Sequence, residues 1–138
     1  MLRNVTLLHT MLRVGDLDRS LAFYVDRLGM KLHWRKDFPS GRFTIAFIGY
    51  TDEVPGPTLE LTHNWDRVDY DKGDGYGHIA LGVEDVSAAC AALAAAGIDI
   101  PRPPAPMNHG GPMMAFLLDP DGYRIELIQQ SLLGGPPS

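Results

Sequence analysis

Two histidines and two glutamates recur at matching places in this chain, and together they could hold a divalent cation. Shifting the sequence by 69 residues lays His9-Thr-Met-Leu12-Arg-Val14-Gly-Asp16 over His78-Ile-Ala-Leu81-Gly-Val83-Glu-Asp85. The same shift lays Ala46-Phe47-Ile48 over Ala115-Phe116-Leu117, and a shift of 66 lays Leu59-Glu60-Leu61 over Ile125-Glu126-Leu127. His9 is thus equivalent to His78, and Glu60 to Glu126. A single histidine or glutamate in a strand is usually a solvated or hydrogen-bonded residue. Four related by a repeat are different, because a carboxylate set among leucines and isoleucines needs a partner or a metal. Imidazole and carboxylate donors suit Ni, Co, Fe, Mn or Zn, and the lack of thiolates disfavours a closed structural zinc site.

The elements that must position these residues follow from the same repeat. Each copy opens on a strand, expected over 7–14 and 78–83, with apolar residues on both alternations and hence covered on both faces. A helix follows, with Asp16 and Asp85 as N-caps for its orphan N–H groups. Leu17, Leu21, Tyr24 and Leu28 form one helical stripe, repeated by Val86, Cys90 and Leu93. Gly29 and Gly97 stand where a left-handed residue ends a helix. Three strands complete each copy, expected over 31–35, 43–49 and 58–63, then 99–102, 113–118 and 123–129, with Asp119-Pro-Asp-Gly122 as a turn. Each copy therefore reads βαβββ. The expected fold is α+β: one domain of two tandem modules, about 5–63 and about 78–130, a connector about 64–77, and a flexible tail 131–138. Because side chains alternate along strands, His9, Met11 and Arg13 share a face, as do Thr58, Glu60, Thr62 and Asn64.

Composition narrows the function class. Apolar residues make up 45% and charged residues 21%, a globular balance, and the net charge of −5 argues against binding a phosphate backbone. No apolar run reaches membrane-spanning length and the first residues carry no secretory signature, so a cytoplasmic chain without membrane partners is expected. The lone Cys90 permits no intramolecular disulfide and belongs to the apolar helix stripe, as a core residue. His33, His63 and His109 have no repeat partner, and His63 falls on the opposite strand face from Glu60, so none is expected as a ligand. Met113 and Met114 are expected to pack. Gly73-Asp-Gly-Tyr-Gly77 lacks the Lys-Ser/Thr ending of a phosphate loop.

Four motifs carry a resemblance: Leu-His-Thr-Met-Leu-Arg-Val-Gly-Asp-Leu (8–17), Leu-Glu-Leu-Thr-His-Asn-Trp (59–65), Tyr-Gly-His-Ile-Ala-Leu (76–81) and Asp-Pro-Asp-Gly-Tyr-Arg-Ile-Glu-Leu-Ile (119–128). Together they closely resemble the bacterial glyoxalase I (lactoylglutathione lyase) family of the vicinal oxygen chelate superfamily, over about 7–129. The resemblance implies a homodimer with two shared sites at the subunit interface. His9 and Glu60 would come from one subunit, His78 and Glu126 from the other, and two waters would complete an octahedron. It implies Ni2+ as the first choice of metal, with Co2+, Zn2+ or Mn2+ as other candidates, and glutathione as co-substrate. The reaction implied is isomerisation of the hemithioacetal of methylglyoxal and glutathione to S-lactoylglutathione, a detoxification. Glu126 matches the base that takes the C1 proton, through an enediolate, and Glu60 is the candidate for proton return at C2. Arg13 and Asn64 match contacts to the glutathione moiety.

One departure from the family concerns substrate binding. Many relatives read Pro-Met-Lys-His-Gly in a loop of the second copy, and Pro106-Met-Asn-His-Gly110 here puts Asn108 at the lysine place. Asn108 is thus a further candidate substrate contact, and it leaves open whether the thiol is glutathione or a related one. The competing readings are another chemistry of the superfamily (epimerase, dioxygenase or thiol transferase) and a metal-free protein that sequesters a drug. The dioxygenases need two His and one carboxylate with open iron positions, and a sequestering module has no use for four polar ligands.

Overall fold

Each half of the chain builds one four-stranded sheet backed by a helix. The computed structural model describes residues 1–52, 56–107 and 111–130. Two compact units divide at Met1–Asp71 and Lys72–Ser138.

In the first unit the strands are β1 (His9–Arg13), β2 (Lys31–Phe38), β3 (Phe43–Gly49) and β4 (Thr58–Asn64), ordered β1-β4-β3-β2. The outer pair β1/β4 is parallel and the others antiparallel, so a crossover after β1 is required, and it is helical. Asp16 caps that helix by accepting the N–H of Arg19 at 3.1 Å, as the sequence predicts.

The expected apolar stripe is corrected within this helix. Only Leu17–Leu21 is α-helical (α1), and Ala22–Arg27 continues as a π-helical turn, with the N–H of Leu28 bonded to the carbonyl of Phe23. The wider turn brings Phe23 and Tyr24 both inward, their rings edge-on at 4.9 Å, while Leu21 and Leu28 stay only half-buried. Gly29 closes the segment at φ +78°, the left-handed position its place implies.

The second unit repeats the plan with β5 (Ile79–Val83), α2 (Val86–Ala95), β6 (Arg102–Pro106), β7 (Met113–Leu118) and β8 (Arg124–Gln129), ordered β5-β8-β7-β6. Asp85 caps α2 by accepting the N–H of Ala88 at 2.9 Å, and Gly97 has φ +85°. The alanine-rich helix buries Val86, Cys90 and Leu93 as expected and packs on β6, β7 and β8. Asp119 accepts the N–H groups of Asp121 and Tyr123, and Gly122 at φ +86° completes the turn.

The sixth strand is displaced from its expected place at 99–102. Pro106 pairs with Met113 in the ladder, while Pro103 and Pro104 fall at the register shift between Arg102 and Ala105; β6 is an edge strand, where missing N–H groups cost least. The N–H of Leu118 still reaches back to the carbonyl of Asp99. β2 also runs three residues beyond its expected end, through the polar Lys36 and Asp37, again at an edge. The tail 131–138 lies outside the described residues.

A further correction concerns the opening strands. Leu12 of β1 is buried, but His9, Met11 and Arg13 are exposed, and β5 shows the same alternation. The cores lie on the other face of each sheet, around Val14, Ile48 and Leu61 in the first unit and Leu117, Ile125 and Leu127 in the second. Apolar residues on both alternations misled because the covering helix packs on one face only.

Candidate metal and substrate site

The uncovered face of each sheet carries one histidine and one glutamate. In the first unit, His9 Nε2 lies 2.8 Å from Glu60 Oε2. In the second, His78 Nε2 lies 3.4 Å from Glu126 Oε1. The sheet register explains the match. Met11 stands beside Glu60 across the β1/β4 ladder, and Ala80 stands beside Glu126 across β5/β8. Phe47 faces Glu60 and Phe116 faces Glu126 across the antiparallel ladders. The repeat read in the sequence is therefore a repeat of geometry.

Burial is uneven within each pair. The Glu60 and Glu126 side chains are 16% and 9% exposed, against 34% and 41% for His9 and His78. Carboxylates this sheltered require a compensating cation or donor. Donors held about 2.1 Å from one octahedral ion at right angles sit about 3.0 Å apart, so both His–Glu separations fit two adjacent positions on a divalent metal. Among the described residues, no three His, Cys, Asp or Glu side chains gather closely enough to hold an ion. Each unit brings together two of the four residues that the sequence predicts as ligands.

The two phenylalanines were not singled out by sequence reasoning. Phe47 meets His9 edge-on, with centroids 5.0 Å apart and planes at 90°. Phe116 meets His78 in the same manner, at 5.3 Å and 71°. Trp34 in turn lies against Phe47 at 4.7 Å. The signal was in the repeat itself, which lays Phe47 over Phe116.

Arg13 is exposed on β1, on the face of His9 and beside Thr62 of β4. Asn64 ends β4 on the face of Glu60, and its Nδ2 donates to the Tyr70 hydroxyl at 3.0 Å. Asn108 and His109 lie outside the described residues. His63 faces away from Glu60, with Nδ1 3.2 Å from the Val14 carbonyl. It lines a separate cavity of about 520 Å³ with Asp16, Arg19, Arg35 and Trp65, which contains none of the quartet. Burial raises the Cys90 thiol above its ordinary value, in keeping with a core residue and not a nucleophile. No described helix is long and apolar enough to cross a membrane.

The family model of the Glyoxalase/Bleomycin resistance protein/Dioxygenase superfamily matches residues 6–127. The chain belongs to this superfamily. A lactoylglutathione lyase of Neisseria meningitidis serogroup A is 56% identical over 124 residues, 90% of this chain and 90% of that protein. The trypanothione-dependent glyoxalase I of Leishmania major superposes with a TM-score of 0.80 at 45% identity, covering 91% of this chain and 86% of that one. Glyoxalase I of Zea mays gives a TM-score of 0.86 at 41% identity over 90% of this chain. This chain spans 44% of the maize protein's length. The two βαβββ units are those of the glyoxalase fold.

Proposed function

We propose that the chain is a lactoylglutathione lyase that isomerises the hemithioacetal of methylglyoxal and glutathione to S-lactoylglutathione. The observation that carries this reading is the repeated pair of His9 with Glu60 and His78 with Glu126, in one register, on the uncovered faces of two like sheets.

His9, Glu60, His78 and Glu126 would hold the metal, with Ni2+ the first candidate. When bound, the ion acts as a Lewis acid toward charge developing on the substrate oxygens. Glu126 is the base that takes the proton from C1. It is the more sheltered of the two carboxylates, and a dry setting strengthens its interaction with a transferring proton. Glu60 handles the proton returned at C2. No atom is gained or lost, so the residues need only hold the substrate, accept the proton and give it back. Arg13 and Asn64 hold the thiol's polar groups, a guanidinium pairing with carboxylate and an amide both donating and accepting. Asn108 is the third candidate contact.

Two His–Glu pairs complete a site when two copies of the chain bring together a first unit and a second unit. A homodimer is supported by the exposure of Met11 and Trp34, large apolar residues on the face of the first pair. A cytoplasmic setting suits a reaction on a reduced thiol.

The test is thioester absorbance after apo protein is mixed with methylglyoxal, glutathione and Ni2+, Co2+ or Zn2+ in turn. Turnover dependent on metal, greatest with Ni2+ and abolished by chelator, is expected. Absence of thioester with every ion at full occupancy overturns the reading.

A further inference from the structure

The two units keep the His–Glu pair but differ in where a cation stands beside it. In the first unit Arg13 lies on the ligand face of β1, and its repeat counterpart in the second unit is Gly82. In the second unit Arg124 opens β8 two residues before Glu126, on the same face, and its counterpart in the first unit is Thr58. Thr58 is committed locally, its hydroxyl donating to the Leu8 carbonyl at 3.1 Å. Arg124 is exposed, and among the described residues no carboxylate pairs with it.

The Arg124 guanidinium is nonetheless held. Its Cζ stands 4.4 Å from the centroid of the Phe116 ring, the ring whose edge meets His78. Its backbone carbonyl accepts the Tyr76 hydroxyl at 3.0 Å. A guanidinium lying on an aromatic face keeps its N–H edges outward, in the planar arrangement that binds a carboxylate through two parallel bonds. Holding it there in advance lowers the ordering cost of binding.

We propose that Arg124 is the cationic anchor for a carboxylate of the thiol substrate, in the half of the site built by the second unit. The assignment rests on the glutathione reading above and names a residue that determines thiol specificity within it. Glutathione carries two carboxylates, and the chain itself has a net charge of −5, so local cations must hold the anion. The sequence places asparagine, not lysine, at 108. Along a strand, residues two apart are about 7 Å apart, while an extended tripeptide spans about 10 Å. A thiol substrate with C1 at Glu126 can therefore reach Arg124 with one end. Arg13 and Arg124 then hold different ends, and the lack of exact symmetry between the units has a use.

Calorimetry with S-hexylglutathione and its diethyl ester, on Ni2+-loaded wild-type protein and on Arg124→Gln and Arg124→Lys, tests this without turnover. The expected result is an affinity loss of about tenfold for the free acid in Arg124→Gln, equivalent to ~1.4 kcal/mol, with less than twofold change for the ester. Arg124→Lys recovers part of the loss, and metal stoichiometry and Tm stay at wild-type values. Unchanged affinity for the free acid in Arg124→Gln overturns the proposal while leaving the enzyme reading intact. Equal losses for acid and ester also overturn it, because Arg124 then only supports Phe116. If the wild-type protein binds neither compound, the glutathione reading fails and the anchor with it.

Discussion

His78 Nε2 lies 3.4 Å from Glu126 Oε1, and the Glu126 side chain is only 9% exposed, while its partner histidine is open on the sheet face. The carboxylate stands on the uncovered sheet face, between Ala80 of β5 and Phe116 of β7 across the two ladders, with the imidazole beside it. A group so placed can bind an ion, accept a proton, or do both in turn.

Glu126→Gln keeps the shape and removes the charge. Loss of a positioned base costs about 10²–10⁴-fold in kcat, and loss of a ligand lowers metal content as well. Circular dichroism should remain that of the wild type, because a neutral amide is cheaper to shelter than a carboxylate. Metal analysis and thioester kinetics on one preparation check the prediction. Full turnover with full metal content contradicts both roles.

Arg13→Ala should lower kcat/KM by roughly 10–150-fold, the worth of a charge-assisted hydrogen bond of about 1.5–3 kcal/mol. Metal stoichiometry should not move, since Arg13 lies four residues along β1 from His9. Loss of metal together with activity would make Arg13 a structural residue.

Phe47→Leu and Phe116→Leu should weaken metal binding while leaving the fold intact. Each ring meets an imidazole edge-on, a contact worth about 0.5–1.5 kcal/mol beyond burial. Apparent metal affinity should fall about 2- to 13-fold by equilibrium dialysis, with the two variants behaving alike because the contacts are repeat-related. Unchanged affinity in both would leave the rings as packing only.

Burial, reinforced by the Asp119 charge and by Tyr123, pushes the Tyr76 phenol up to about 12, where its hydroxyl donates to the Arg124 carbonyl. The unfolded phenol ionises near about 10. Below that value both states are neutral and the contribution is fully present. Between about 10 and 12 the unfolded chain releases a proton that the folded chain keeps, so stability falls as pH rises. Urea midpoints across that window should fall less steeply for Tyr76→Phe than for the wild type. Equal slopes contradict the assignment.

Much of this architecture is legible in the residues themselves. Asp16 and Asp85 cap helices, Gly29 and Gly97 end them at positive φ, and the offsets lay His9 over His78 and Glu60 over Glu126, which the sheets then bring together as two like His–Glu pairs. Local patterns fail where a long-range fact decides. Helical spacing of 3.6 cannot foresee the π-turn at Ala22–Arg27, which is set by burying Phe23 and Tyr24 together. The expected strand at 99–102 stops short of the prolines, whereas β6 runs Arg102–Pro106 at a sheet edge with a register shift at Pro103 and Pro104. The exposure of His9, Met11 and Arg13 depends on which face α1 covers, and Phe47 and Phe116 gain meaning only once the ladders set them opposite Glu60 and Glu126.

The central claim is that one reaction centre takes His9 and Glu60 from one chain and His78 and Glu126 from another. Mixing His9→Ala chains with Glu126→Gln chains, unfolding and refolding them together, and measuring thioester formation tests it most directly. Each variant alone should be inactive. In a random mixture half the dimers are mixed and each has one intact site of two, so activity should return to about a quarter of the wild-type value. No recovery, with mixed dimers verified by mass spectrometry, contradicts a site shared between chains.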